Sequence, residues 1–175
     1  MPDTTSLPTN HLPRVLGVDP GLNITGYGVL EQGPAGPALC EAGVVRSRPA
    51  ATLEARLAEI YQGMREVLLA FTPQAMAVEE LYSHYKRPRT AILMGHARGV
   101  ICLAAAEARI PVYHYAATQV KRLLTGSGRA TKQQMQQAIC RELSLAAPPE
   151  PPDVADALAI AVCHHYLAKR SVLLS

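Results

Sequence analysis

Apolar and polar positions alternate along the first third of the chain in a way that predicts strands. Val15, Leu16 and Val18 form a short apolar run that stops on an acid, Asp19, before Pro20-Gly21 turns the chain and residues 25–30 resume an apolar course. The pattern is strand, carboxylate, tight turn, strand. Gly and Pro crowd 33–37, and 38–46 (A-L-C-E-A-G-V-V-R) predicts a third, antiparallel strand. Helical spacing follows: behind Thr52, a candidate cap, Leu53, Leu57, Ile60, Tyr61, Met64, Val67, Leu68 and Phe71 recur at three- and four-residue steps until Pro73 stops them. A further apolar run, 75–81 (A-M-A-V-E-E-L), again ends in acids. Beyond it the spacing predicts a Gly/Ala-rich helix over 91–108, a strand over 111–115, a short helix over 118–124 and a loop over 125–129. Thr131 with Gln134 makes a capping-box start for a helix to 143, and a proline-rich connector, 147–152, leads into the last helix, with Pro152 where a first turn tolerates it.

Three strands, then helices alternating with strands, imply an α/β fold in which helices cover a mixed sheet. At 175 residues and 49% hydrophobic positions the chain has room for one core, built from aliphatic side chains because it holds no Trp and a single Phe. Cys40, Cys102, Cys140 and Cys163 stand apart, without zinc-site spacing, and read as reduced thiols. No run of apolar residues reaches membrane-spanning length, and the first residues lack the order of a secretion signal, so the expectation is a cytoplasmic protein. Residues 1–13 are expected to be a disordered extension, 14–170 one folded domain and 171–175 a tail. A net charge of +3 permits an anionic partner without demanding one.

The candidate chemistry lies in the acids. Asp19 and Glu79 close apolar strands, and Asp153 and Asp156 stand three apart, on one face of the first turns of the last helix. Glu80 competes with Glu79: alternation sends the two to opposite faces, and the residues alone do not choose between them. An acid in a first turn is favoured by the helix dipole whatever its function, and Asp before Pro-Gly is an ordinary turn residue. The apolar setting points further, since Asp156 lies within D-A-L-A-I-A-V. If the helix start lies over the strand ends, the carboxylates converge and need neutralising. All-oxygen ligation suits Mg²⁺ or Mn²⁺, and the matching chemistry is two-metal phosphoryl transfer.

The segments G-V-D-P-G-L-N-I-T-G-Y-G-V, A-V-E-E-L-Y, G-H-A-R-G-V, Y-A-A-T-Q-V-K-R and D-V-A-D-A-L-A-I-A follow one another between residues 15 and 165. Together they resemble the RuvC crossover junction endodeoxyribonucleases, the bacterial Holliday-junction resolvases. The resemblance implies an RNase H-like mixed five-stranded sheet flanked by helices and a homodimer. It also implies Mg²⁺-dependent paired nicking of four-way junction DNA, with two ions per site and Mn²⁺ able to substitute, and RuvA and RuvB as partners. Carried over by residue, it places the catalytic and metal-binding acids at Asp19, Glu79, Asp153 and Asp156, which decides for Glu79 over Glu80. Tyr82 becomes an aromatic that stacks on an unpaired base, and Lys121 and Lys132 become contacts to phosphate.

Basic residues gather where such a site would need them: Lys86, Arg87 and Arg89 after the Glu79 strand, and Lys121, Arg122, Arg129 and Lys132 around the Gly-Ser-Gly loop. Contacts of this kind bind phosphate with little sequence preference, although a charge run is also what an ordinary solvated face looks like. Tyr82 and Tyr85, interleaved with His84 and Lys86, suit stacking on exposed bases, or core packing. G-S-G-R-A-T-K lacks the spacing of a nucleotide-binding P-loop. His164 and His165 have no partner at metal spacing; they read as packing residues, with His164 a candidate for approaching the site. The small residues Gly95, Ala97, Gly99, Ala104 and Ala105 suggest close packing of their helix on the sheet, or a twofold dimer contact. Two other readings stand beside the nuclease. One is a sugar-kinase-like ATPase, which would need a second lobe absent from this chain. The other is a junction-binding protein in which the acids merely cap and turn.

Overall fold

The computed structural model describes residues 13–33, 35–81 and 88–173. Strands β1 (Arg14–Asp19), β2 (Ile24–Gly33) and β3 (Gly36–Arg46) form an antiparallel meander. Helix α1 (Leu53–Phe71) then crosses to β4 (Ala75–Glu79), and α2 (Pro88–Glu107) crosses to β5 (Val112–Tyr115). These crossovers make β4 parallel to β1 and β5 parallel to β4, giving the order β3-β2-β1-β4-β5. Helices α3 (Ala117–Thr125), α4 (Lys132–Glu142) and α5 (Pro152–Leu173) complete the chain. The central sheet covered by helices is what the pattern predicts, and its mixed five-stranded form is what the family resemblance implies.

Strand alternation divides the core in two. Leu16, Val18, Val29, Met76 and Val78 face α1 and α2, where Ile60, Met64, Leu68, Ala97, Ile101 and Ala104 meet them. Leu30, Ala77 and Tyr115 face the opposite way, toward Val154, Leu158, Ile160 and Val162 of α5 and Met135 and Ile139 of α4. Helix α5 is apolar on nearly every side because it lies between the sheet and other helices, which is why its residues from Ala157 to Cys163 are almost wholly excluded from solvent.

The approach of α5 to the sheet is set by glycines. Gly17 pairs with Gly28 across the β1–β2 ladder, and Gly26 pairs with Asp19. A methyl group at Gly17 would stand 2.1 Å from the Ala157 carbonyl oxygen, one at Gly26 2.1 Å from that of Asp153, and one at Gly28 2.4 Å from Leu158 Cδ2. The start of α5 therefore rests directly on the β1–β2 backbone.

Several details differ from the pattern. Strand β4 ends at Glu79 rather than 81, and α2 begins at Pro88 rather than 91, with proline at the first helical position where its missing N–H costs nothing. Thr52 occupies the N-cap of α1 without a side-chain capping bond. The predicted capping box of α4 is present: Gln134 N–H donates to Thr131 Oγ1 at 3.3 Å, and Thr131 N–H to Gln134 Oε1 at 2.8 Å. The small residues of α2 do not act together. Ala97, Ala104 and Ala105 pack inward, but a methyl group at Gly99 would meet nothing within 4 Å and one at Gly95 only Leu81, at 3.8 Å. Close packing on the sheet thus fails for the two glycines, which lie on the outer side of the helix. The four cysteines are free thiols, as expected, and no helix among the described residues is long and apolar enough to cross a membrane.

Gly17→Ala should destabilise the fold by about 1–3 kcal/mol, because the added carbon meets backbone that cannot move without lifting α5. Gly99→Ala, which adds the same carbon in open space within a helix, should be neutral or slightly stabilising. Denaturant unfolding of the two variants beside the parent chain checks the contrast.

Candidate active site at the ends of β1 and β4

Asp19 is the last residue of β1 and Glu79 the last of β4. The parallel register pairs Val18 with Val78, so the next residues, Asp19 and Glu79, stand side by side. Both follow the alternation of Gly17 and Ala77 onto the α5 face. Glu80 is exposed and by alternation points to the other face, and Glu79 is the acid that acts on Asp19. The first turns of α5 bring Asp153 and Asp156 to the same place, because the Asp153 backbone rests against Gly26, the ladder partner of Asp19. Glu79 and Asp156 line a cleft of about 240 Å³ together with Lys121, Lys132, Met135 and Ile160.

The electrostatics follow from burial and like charge. Burial raises the Asp19 carboxyl to about 8, with Glu79, Asp156 and Asp153 adding to the rise in that order and Lys132 opposing it. Burial also raises Glu79, with Asp156 adding and Lys121 opposing. Asp156 is raised by burial and by Asp153 against the pull of Lys132 and Lys121. Lys132 Nζ lies 3.6 Å from Asp156 Oδ2, a partly exposed pair that screens the acids without neutralising them. Among the described residues no three His, Cys, Asp or Glu side chains stand together closely enough to hold an ion unaided. The acids converge without forming a closed cage.

Of the basic residues singled out in the sequence, Lys121 on α3 and Lys132 at the start of α4 reach this cleft. Arg122 turns away into a separate hollow beside Thr118, Gln119 and Leu167, while Arg89 and Arg129 are exposed and do not line the cleft. Tyr82, His84, Tyr85, Lys86 and Arg87 lie outside the described residues. His164 does not reach the acids. It is buried, its Nδ1 lies 2.7 Å from the Tyr115 hydroxyl, and its ring centre is 4.5 Å from that of Tyr113, so it ties α5 to β5. Sequence reasoning passed over Arg98. This α2 residue donates from Nε to the Glu79 carbonyl oxygen at 3.2 Å. Its signal was available, since it is the one Asp, Glu, Lys or Arg in A-I-L-M-G-H-A-R-G-V-I-C-L-A-A-A.

Residues 15–164 match the model of the family described as Crossover junction endodeoxyribonuclease RuvC. The chain belongs to the RuvC family. The match runs from β1 into α5 and takes in all four converging acids. Among the family's curated members, the chain is similar to the crossover junction endodeoxyribonuclease RuvC of Rhodopirellula baltica, 57% identical over 90% of this chain and 89% of that protein. It is also similar to that of Desulforamulus reducens, 46% identical over 86% and 91%. Thermus thermophilus RuvC, solved in complex with a Holliday junction substrate, is 36% identical and superposes with a TM-score of 0.84 over 91% of this chain and 96% of that one. The yeast mitochondrial Holliday junction resolvase Ydc2, at 13% identity and a TM-score of 0.64, shares the RuvC fold.

An acid whose pKa rises on folding binds its proton more tightly in the folded chain. Folding therefore loses stability as pH climbs from the unfolded Asp19 value of 3.8 toward its folded value of about 8. In chelator, the melting temperature should fall between about pH 5 and about pH 8. Asp19→Asn should flatten that slope and raise the melting temperature at its alkaline end. Thermal melts across the range check this, and a midpoint in the parent chain that rises with pH would contradict the like-charge cluster.

Proposed function

We propose that this chain resolves four-way DNA junctions by paired, symmetric nicks in two opposed strands, acting in homologous recombination and DNA repair. The observation that carries the reading is the convergence of Asp19, Glu79, Asp153 and Asp156 at one end of the sheet, with Lys121 and Lys132 beside them. The relatives' name, crossover junction endodeoxyribonuclease, and the junction bound by the Thermus thermophilus protein support the same substrate.

The four acids are the catalytic metal ligands in this reading. An all-oxygen donor set fits a hard divalent cation. Mg²⁺ characteristically takes one or two protein carboxylates and completes its shell with water and substrate phosphate, which suits acids that do not close into a cage. We assign two Mg²⁺ ions per site, with Mn²⁺ able to substitute. Bound there, the ions would supply activation of the attacking water and stabilisation of the leaving oxygen. Asp19, coupled to all three other acids, is the ligand whose loss should do most damage. Lys121 and Lys132 hold the scissile phosphate against the acids. Arg89, Arg122 and Arg129, with Lys86, Arg87 and the stacking residue Tyr82, serve the arms of the junction. RuvA and RuvB are the partners implied by the family, and the cytoplasm is the compartment.

Two symmetric nicks call for two sites related by a twofold axis, hence a homodimer. The outer side of α2 suits its interface: Ile92 is 62% and Leu103 51% exposed, on the side of the helix where Gly95 and Gly99 leave the backbone open to close approach.

Incubated with Mg²⁺ or Mn²⁺, the parent chain should nick a labelled four-way junction in pairs and leave linear duplex intact. Asp19→Asn should lose at least about 100-fold in rate while still binding the junction. Junction binding without cleavage by the parent chain under any divalent ion would favour the junction-binding protein instead. Leu103→Glu should shift the protein to monomer in sedimentation velocity and uncouple the two nicks, because a charge would then face its own copy across the axis.

A further inference from the structure

We infer that Arg98 is a positioning residue for Glu79, so that α2 fixes one proposed metal ligand from the opposite face of the sheet; this rests on the reading of Glu79 given above. Met76 N–H and Glu80 N–H go to β5, donating to the Pro111 and Tyr115 carbonyls at 2.9 Å each, so by alternation the Glu79 backbone groups face β1. Strand β1 leaves the sheet at that level. Its next residue, Pro20, has no N–H to give, and the Gly21 N–H turns back to Thr25 Oγ1 at 3.3 Å, closing the turn upon itself. The last carbonyl of β4 therefore lies where its neighbour departs, and Arg98 Nε donates to it at 3.2 Å.

The same guanidinium has a second anchor. Arg98 Nη2 lies 2.5 Å from His114 Nδ1. Because arginine only donates, Nδ1 is the acceptor, and the proton of the neutral imidazole sits on Nε2. His114 is paired with Val78 across the β4–β5 ladder, one residue before Glu79 and Tyr115. One side chain thus spans two neighbouring strands just where the acid leaves the sheet. A terminal strand residue held through its carbonyl has less freedom to rotate, and the carboxylate on the other face inherits that restraint. Partners that orient a metal ligand in this way are commonly worth 10- to 100-fold in metal affinity or activity. The guanidinium fork suits the task because it reaches both acceptors at once, which a single ammonium does not.

The test compares Arg98→Met, which keeps the apolar stem without donors, Arg98→Lys, which restores one centre of donation, and Glu79→Gln. Junction cleavage gives kcat and KM, calorimetric titration with Mn²⁺ in the absence of DNA gives metal affinity, and melting in chelator reports the fold. Arg98→Met is expected to lose about 10- to 100-fold in kcat and in Mn²⁺ affinity, with KM and the melting midpoint near those of the parent, and Arg98→Lys to fall between them. Parental kcat and Mn²⁺ affinity in Arg98→Met would overturn the inference, as would losses that merely track a lower melting midpoint. If Arg98→Met does not fold, Arg98→Lys decides: reduced kcat and Mn²⁺ affinity at unchanged KM support the inference, and parental values overturn it. Full cleavage by Glu79→Gln would remove the reading of Glu79 itself, and the inference with it. An inactive Glu79→Gln beside a fully active Arg98→Met would remove only the role of Arg98.

Discussion

The direct contact between α5 and the backbone of β1 and β2 governs the rest of the molecule. Helices usually stand off a sheet by the depth of two layers of side chains, and here glycine at three paired or adjacent positions removes one of those layers. The helix gains close packing along its length, and its first turns come down over the strand that ends in Asp19. Without that approach Asp153 and Asp156 would lie too far above the strand ends to interact with Asp19. One packing decision therefore stabilises the fold and assembles the acids.

The assembly has an electrostatic cost. Asp19, Glu79 and Asp156 are each pushed toward the neutral form by burial and by a neighbouring acid, Glu79 foremost for Asp19, Asp156 for Glu79 and Asp153 for Asp156, while two lysines offset only part of the effect. The fold tolerates this because α5 is buried just beyond these acids, where Leu158, Ile160, Ala161 and Val162 are almost fully excluded from water. Unfavourable charge is concentrated at the start of an element whose middle is anchored by apolar contacts and by the Tyr115–His164 hydrogen bond. A cation that relieves the repulsion would by the same linkage tighten the fold, so ion binding and stability share one free energy.

Much of this was legible from residue order. The strand stopping on Asp19, the i, i+3 spacing of Asp153 and Asp156, and the Thr131–Gln134 capping box are local signals, and each was found where periodicity and capping chemistry put it, while the strand of Glu79 was found two residues shorter than its apolar run. The choice between Glu79 and Glu80 was not local, because alternation separates the two faces without saying which one α5 covers. It took the family resemblance to decide, and the packing of α5 gives the physical reason. Two further features depended on tertiary placement. Gly95 and Gly99 allowed either close packing or a dimer contact, because composition cannot tell the inner side of a helix from the outer, and His164, read as a packing residue, is one, though its Tyr115 partner on a distant strand could not be named from the sequence. Arg98 was overlooked for a related reason: a lone arginine in an apolar helix announces a buried partner, but its partner here is a backbone carbonyl, which no sequence pattern displays.

The two faces of the sheet thus carry different duties, and they meet at the end of β4. On one face α5 brings acids to Asp19 and Glu79; on the other α2 grips the Glu79 carbonyl and turns an open, small-sided surface outward. Arg98 and Gly99 are adjacent in sequence, so the residue that reaches the end of β4 and the one that opens the outer surface share a single helical turn. Any partner that presses on that surface acts on a rigid rod whose inner side holds a proposed ligand. Were the proposed second copy of the chain to dock there, it would bear on the geometry of Glu79 without touching the cleft. Coupling of this sort needs no moving domain, only a packed helix with one contact on each side.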